Sequence, residues 1–147
     1  MRVVIDTNAF VSAVLFDGPT SGLLTLWQRR KMLVVLSPDI LDEYLRVLTY
    51  PKFKLTKREI GSVLNRELLP YAVQIKPKAR INAAVDPDDN KFIEAAVSGK
   101  AKFLISGDRD LLEVERVRNV QIISPSEFLK THAEYITGSR TKPIRKR

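Results

Sequence analysis

The chain has 147 residues, of which 44% are hydrophobic and 29% charged, a composition typical of one globular domain with its own hydrophobic core. It has no cysteine and one histidine, His132, which excludes disulfide frameworks, thiolate metal sites and zinc sites built from paired histidines. Any bound metal must therefore have oxygen ligands, which favours magnesium or manganese.

The formal net charge of +8 favours a nucleic-acid partner, although a merely soluble basic protein is the alternative. Residues 137–147 contain five basic residues and no acid. We therefore expect a folded domain over residues 1–131 and a basic tail over residues 132–147, in which residues 137–147 are disordered when free and contact phosphates or a partner. Because no apolar run approaches the roughly 18 residues of a membrane span, we expect a cytoplasmic protein without membrane contacts.

Hydrophobic periodicity predicts strands that alternate with helices along the chain. Short apolar runs predict five strands, at residues 3–5, 32–36, 73–75, 102–105 and 120–123. Helices are predicted between and after them, at residues 9–15, 20–31, 38–50, 56–69, 86–98, around 111–112 and at 125–131. This alternation predicts an α/β fold in which helices cover both faces of a parallel sheet.

Several of these helices have candidate capping residues at their N-termini. Asn8 is predicted to cap the first helix, and Thr20 or Ser21 the second. Thr56 with Glu59 three residues later has the spacing of a capping box, which opens a helix predicted to continue to about residue 69.

Three acids are expected at one edge of such a sheet. Asp6 ends the first strand and Asp108 lies just beyond the fourth, so their carboxylates meet if these parallel strands are neighbours. Asp89 stands at the head of the apolar stripe of the helix that leads into the fourth strand, whereas Asp86 suits its N-cap and Asp88 the margin. The alternative for Asp6 is a simple turn residue. The alternative for the acids at the start of the helix is that they are there only because negative charge is favourable at the positive end of the helix dipole.

The third predicted helix adds Glu43 at the margin of its buried stripe, with a solvated surface position as the alternative. Asp42 is instead spaced to pair with Arg46 four residues later. Clustered carboxylates repel one another and stay ionised only beside a cation. Bound magnesium or manganese would polarise a phosphodiester and activate water, so the sequence favours a metal-assisted phosphodiesterase whose basic surface holds nucleic acid.

Four motifs resemble, in order, the signatures of the PIN-domain ribonucleases. They are Asp6-Thr7-Asn8, then Ser37-Pro38 followed by Glu43, then Asp86-Pro87-Asp88-Asp89-Asn90-Lys91-Phe92 with Glu94-Ala95-Ala96, and finally Ser106-Gly107-Asp108-Arg109-Asp110-Leu111. The match extends from residue 2 to about residue 129. The third motif is similar to that of a subgroup of toxin components of toxin–antitoxin systems, the VapC-like proteins.

The resemblance implies a PIN-like three-layer α/β/α fold with about five parallel strands in the order 3-2-1-4-5. It implies that RNA is hydrolysed by water activated by Mg²⁺ or Mn²⁺. It also implies four residues that are catalytic and bind the metal: Asp6, Glu43, Asp89 and Asp108. Three further residues would support this pocket: Asn8, Ser106 and Asp110.

From this resemblance we expect a toxin-type endoribonuclease that forms a homodimer and is held inactive by an antitoxin protein. The alternative is a nucleic-acid-binding PIN module without catalysis. A phosphatase with a nucleophilic aspartate would need a second aspartate two residues after Asp6, where Asn8 stands. The chain has no Gly-rich phosphate loop of the Walker or dinucleotide type. The choice between RNA and DNA, and between one metal and two, is open at this point.

Overall fold

The computed structural model of the chain describes residues 1–136, and within them six strands form one sheet. The strands are β1 (Arg2–Ile5), β2 (Leu33–Leu36), β3 (Ala72–Gln74), β4 (Phe103–Ile105), β5 (Arg116–Val117) and β6 (Val120–Ile123). Their order in the sheet is β3-β2-β1-β4-β6-β5. All neighbouring pairs are parallel except β5 and β6, which are antiparallel.

This topology confirms the predicted α/β fold and the order of its five parallel strands, with β6 as the fifth. The two-residue strand β5 was not predicted, and it adds an antiparallel edge next to β6. Each side chain of Val3, Val4 and Ile5 is fully buried. Because successive side chains of a strand point to opposite faces, the sheet is covered on both sides at β1.

The described residues form α-helices at every predicted position. These are α1 (Thr7–Leu15), α2 (Gly22–Gln28), α3 (Pro38–Leu48), α4 (Lys57–Ser62), α5 (Asn90–Ser98), α6 (Arg109–Val114) and α7 (Pro125–Thr131). Short 3-10 turns accompany them at Pro19–Ser21, Pro51–Phe53, Leu69–Tyr71, Pro87–Asp89 and Ala133–Ile136. Helix α5 packs against β1, β2 and β4, which places its N-terminus at the edge where β1 and β4 end.

Three local predictions were wrong. Asp6, not Asn8, is the N-cap of α1, because the helix begins at Thr7 and the Asp6 carboxylate accepts a hydrogen bond from the Ala9 N–H at 2.9 Å. Neither Thr20 nor Ser21 caps α2 through its side chain, since a 3-10 turn precedes this helix and the Ser21 hydroxyl donates to the Gly18 carbonyl.

The third wrong prediction is the single helix over residues 56–69. Its capping box is present, but α4 ends at Ser62 and a π-helical segment follows at Val63–Leu68. The carbonyl of Glu67 in this wider turn accepts a hydrogen bond from the indole N–H of Trp27 at 2.6 Å. The tertiary contact with α2 therefore accompanies a local departure from regular α-helix.

A stack of three buried aromatic rings joins the first three helices next to the end of β1. The Phe10 ring lies parallel to the Tyr44 ring, with centroids 4.0 Å apart, and its other neighbour is the Trp27 ring at 6.2 Å. The Tyr44 hydroxyl donates a hydrogen bond to the Ile5 carbonyl. This contact ties α3 to the last residue of β1 and so fixes the position of α3 relative to Asp6.

Within residues 1–136, no single helix is long and apolar enough to span a membrane. Taken together, the segments Thr7–Leu15 and Pro19–Gln28 have the length and composition of a membrane span, but they are bent by 92° relative to each other. The predicted basic segment at residues 137–147 lies outside the described residues, and the domain boundary at residue 131 stays a prediction.

Gly99, at the C-terminal end of α5, provides a test of this packing. A Cβ at this position would lie 2.6 Å from Val35 Cγ1 on β2 and 2.9 Å from the Ala95 carbonyl oxygen. We expect Gly99→Ala to lower the free energy of unfolding by about 1–3 kcal/mol, measured by urea denaturation, because the helix must move away from the sheet. Gly18→Ala is the control, since its Cβ would meet no atom within 4 Å; equal stability of the two variants would contradict the close approach.

Candidate active site

Asp6 occupies the junction of β1 and α1 and is held from two sides. One carboxylate oxygen accepts the Ala9 N–H, and the other accepts a hydrogen bond from the buried Ser106 hydroxyl just after β4. Asp6 is 6% exposed. Burial raises its pKa, the hydrogen bonds from Ser106 and Ala9 lower it, and the charges of Asp108 and Glu43 raise it further. This carboxylate is therefore well oriented but short of positive charge.

Glu43 projects from α3 towards the same edge, and its side chain is 13% exposed. The Thr7 hydroxyl donates a hydrogen bond to Oε2, and Lys91 Nζ lies 2.5 Å from Oε1. Arg46 Nη2 lies 3.4 Å from the same Oε1, so Arg46 faces Glu43 and not Asp42, contrary to the predicted pair. Glu43 is thus neutralised by two cations in this structure, one of them on α5.

Asp89 and Asp108 form a close acidic pair across the edge of the sheet. The pKa of Asp89 is raised to about 6, mainly by burial and then by the negative charges of Asp108 and Asp86 and a side-chain hydrogen bond with Asp108. The Asp89 carboxylate accepts no capping hydrogen bond from α5, whereas Asp108 caps α6 by accepting the Asp110 N–H at 3.1 Å. The neighbouring Asp88 is 68% exposed in its side chain and pairs with Lys91 at 3.2 Å.

The four acids line one cavity of about 620 Å³, although each comes from a different part of the chain. Of the three residues predicted to support them, Asn8 lines the cavity, Ser106 stands behind Asp6, and Asp110 is not among the lining residues. A larger neighbouring groove of about 700 Å³ shares Glu43 and Arg46 with this cavity. That groove contains neither Asp6 nor Asp108. The catalytic and metal-binding roles of all these residues stay predictions.

The chemistry of this cavity suits a hard cation, but the side chains are not arranged around one. All candidate donors are carboxylate oxygens, and the raised pKa values of Asp6 and Asp89 reflect burial and repulsion that a cation would relieve. Among residues 1–136, however, no three acid or histidine side chains converge closely enough to hold a metal ion. Coordination by three of them would require some of these side chains to change position.

Sequence reasoning quoted three residues within the motifs without assigning them the contacts that they make here. Thr7 and Lys91 hold Glu43, and the buried Asn90 accepts hydrogen bonds from the Ala83 and Ala84 N–H groups at 3.1 and 2.9 Å. Lys91 and Asn90 directly follow Asp89 in the sequence. Their adjacency to the acid motif was a usable signal, but which partner each would meet depends on the packing of α3 and of the residue 76–84 connection against α5.

Two comparisons with known proteins show what the chain is similar to. The PIN-domain family profile matches residues 2–110, a range that contains all four acids. An uncharacterized protein of Methanocaldococcus jannaschii is 30% identical to the chain over 148 residues, which cover 93% of this chain and 95% of that protein.

The raised pKa of Asp89 predicts that this acid destabilises the metal-free protein at neutral pH. The folded state retains the Asp89 proton up to about pH 6, whereas the unfolded chain loses it near the ordinary value of 3.8. Stability therefore falls as pH rises through this window and stays lower above it. We expect Asp89→Asn to unfold at a higher temperature than wild type at pH 7 in EDTA, with the difference vanishing below about pH 4.

Asp88→Asn is the matched control, because it removes an adjacent exposed carboxylate that pairs with Lys91. It should bring no gain in melting temperature above pH 6. An Asp89→Asn protein no more stable than wild type at pH 7 would show that the acid pair is not repulsive in solution.

Proposed function

The chain belongs to the PIN-domain family, and from this membership we propose that it is a divalent-metal-dependent endoribonuclease. PIN domains are generally nucleases, which hydrolyse phosphodiester bonds. The observation that carries the proposal is the shared cavity of Asp6, Glu43, Asp89 and Asp108, which collects four carboxylates in a protein of net charge +8. Bringing four carboxylates together costs free energy because they repel one another, unless a bound cation offsets their charge.

The residues in and around the cavity have different proposed roles. Ser106 and the Ala9 N–H orient Asp6, and Thr7 orients Glu43, so each of these two carboxylates is held in one orientation. Asp89 and Asp108 supply adjacent negative charge at the cavity edge. Mg²⁺ or Mn²⁺ held by these four acids would polarise a phosphodiester and activate water. RNA as substrate is supported by the resemblance and the basic charge, which attracts phosphates.

A second candidate is a PIN module that binds nucleic acid without cutting it. The Lys91 ammonium favours it, since it lies 2.5 Å from Glu43 and already neutralises a carboxylate that a metal would need. The two candidates differ in whether divalent metal changes the fate of bound RNA, so one experiment separates them.

The biological setting that we propose is a cytoplasmic toxin, active as a homodimer and inhibited by an antitoxin protein. Its support is the third motif, in which Asp86-Pro87-Asp88-Asp89-Asn90 is similar to that of the VapC-like subgroup. The acid-lined cavity is partly open and rimmed by exposed basic side chains, which an inhibitory segment could cover.

We expect purified protein to cut single-stranded RNA in Mg²⁺ or Mn²⁺ and to lose this activity in EDTA. Asp6→Asn and Glu43→Gln should each lower the cleavage rate by more than about 100-fold, because loss of a ligand costs at least as much as loss of its supporting residues. Asp6→Asn nearly preserves shape and removes the charge, which makes it the most informative variant.

Asp42→Asn is the control for this experiment, because Asp42 is the exposed neighbour of Glu43 and does not line the cavity with Asp6. It should cut RNA like wild type. Cleavage that survives both EDTA and Asp6→Asn would contradict the assignment. RNA binding that is equal with and without metal, and without cleavage, would establish the non-catalytic module.

The toxin role predicts a growth phenotype. Induced expression of the wild-type chain in a bacterial host should arrest growth, measured by optical density and viable counts, because unopposed cleavage depletes essential RNA. Expression of Asp6→Asn at the same level should not. Normal growth with an active enzyme present in the extract would contradict the toxin role and leave the nuclease assignment standing.

A further inference from the structure

One wall of the acid-lined cavity carries aromatic and basic side chains instead of acids. We name this wall the aromatic–basic surface and define it by Phe16, Arg46, Tyr50, Lys52 and Phe53. Arg46, Tyr50, Lys52 and Phe53 line the cavity that holds the four acids. A smaller adjoining cavity of about 420 Å³ contains Phe16, shares Asn8, Ser12, Lys52 and Phe53 with the first, and has no acid among its lining residues. The surface is therefore continuous with the candidate active site.

Two of the three rings of this surface are exposed to an unusual degree for large hydrophobic side chains. Tyr50 is 39% and Phe16 is 40% exposed. Phe53 is nearly buried, and its ring centroid lies 6.2 Å from that of Phe16 in a tilted arrangement. An aromatic ring left in water beside a catalytic cavity costs solvation free energy unless a ligand covers it.

The backbone that carries Tyr50 and Lys52 is held in one conformation. Pro51 follows the end of α3 and begins a 3-10 turn, in which the Phe53 N–H donates to the Tyr50 carbonyl at 3.0 Å. Pro51 also restricts Tyr50 to extended dihedral angles, as observed. The exposed ring is thus presented by a short, hydrogen-bonded turn and not by a long loop.

Positive charge is interleaved with the rings. Lys52 Nζ lies 5.2 Å from the centre of the Phe53 ring, and the Arg46 side chain is 61% exposed at the border with Glu43. Unpaired nucleotides are bound by this combination, because aromatic rings stack on bases while cations contact the phosphates between them. The core of a protein–protein interface is instead depleted of lysine.

We propose that the aromatic–basic surface binds the unpaired nucleotides of a single-stranded RNA next to the phosphodiester that is cut. The proposal rests on the nuclease function, since it takes the four acids as the position of the reacting phosphate. Tyr50 stacks on a base beside the acids, Phe16, which packs on the buried Phe53, stacks on the next base, and Arg46 and Lys52 contact the intervening phosphates. A duplex cannot use these rings, because its bases are already stacked and paired.

The test measures binding separately from cutting. All variants are made in the Asp6→Asn background with Mg²⁺ present, and the probe is a fluorescein-labelled single-stranded oligoribonucleotide followed by fluorescence anisotropy. Tyr50→Ala should weaken binding by about 5- to 100-fold, and Tyr50→Phe should retain most of it because the ring remains. Lys52→Glu should lower the slope of log K against log salt by about 0.7 or more, which Tyr50→Ala should leave unchanged.

The matched controls are Leu45→Ala, which removes a side chain that is 41% exposed on α3, and Lys57→Glu, which reverses an exposed charge at the start of α4. Neither residue lines the two cavities, so both variants should bind the strand like the parent. The same RNA annealed to its complement should bind more weakly and should be insensitive to Tyr50→Ala. Unchanged melting temperatures would show that all variants are folded.

The outcomes separate this proposal from the nuclease assignment. If the wild-type protein cuts RNA but Tyr50→Ala changes neither the affinity for the single strand nor KM, the RNA-binding role of the surface is contradicted and the nuclease assignment is retained. If Tyr50→Ala and Lys52→Glu weaken binding as expected but no wild-type cutting occurs, the surface stands and the nuclease fails. If Phe16→Ala or Tyr50→Ala changes the molecular mass in sedimentation without affecting RNA, the surface is an interface between copies and the proposal is wrong.

Discussion

The parallel pairing of β1 with β4 is the constraint on which the site depends. Its register sets Ile5 opposite Ile105, so the next residues of the two strands, Asp6 and Ser106, emerge side by side at the same edge. The hydrogen bond from the Ser106 hydroxyl to Asp6 follows from this register, and Ser106 also accepts the Asp108 N–H at 3.0 Å. A slip of one residue would turn these side chains to opposite faces. The register of the sheet therefore sets where two of the four acids, Asp6 and Asp108, lie at its edge.

The helices then add acids whose repulsion is managed in two different ways. Glu43 receives direct counter-charge from Lys91, and Lys91 also binds the outward Asp88, so one ammonium links α3 to the start of α5. Asp89 receives no such partner, and burial next to Asp108 raises its pKa to about 6. The cavity thus has one neutralised side and one side with unrelieved negative charge. A cation entering it gains most at the Asp89–Asp108 side, where the protein itself supplies no positive group within the described hydrogen bonds and ion pairs.

Much of this arrangement could be predicted from the sequence because it depends on local patterns. The apolar runs placed the five parallel strands, and the position of Asp89 at the head of an apolar stripe indicated its orientation. Asn8 was predicted to be the N-cap instead of Asp6, because aspartate and asparagine are equally favourable at this position. Only the residue at which α1 begins distinguishes them. Strand β5 is too short to leave a periodic signal. The Lys91–Glu43 pair and the contact of Trp27 with Glu67 join residues 48 and 40 positions apart, and no local pattern reports them.

The proposed role of the aromatic–basic surface, the binding of single-stranded RNA, would resolve an electrostatic conflict within the site. A cavity lined by four carboxylates repels the phosphates of any nucleic acid that approaches it, and the overall charge of +8 only attracts the strand to the protein as a whole. A strand must therefore gain free energy close to the acids from groups that bear no negative charge. The proposed stacking on Tyr50 and Phe16 would meet this requirement, because it is insensitive to the charge of the cavity, and Lys52, which lines the same cavity, would offset the charge of the phosphates that follow. The acids would repel the reacting phosphate while the aromatic–basic surface attracts its neighbours. The strand would then be held beside the acids, and the reacting phosphate would approach them only when a cation offsets their charge.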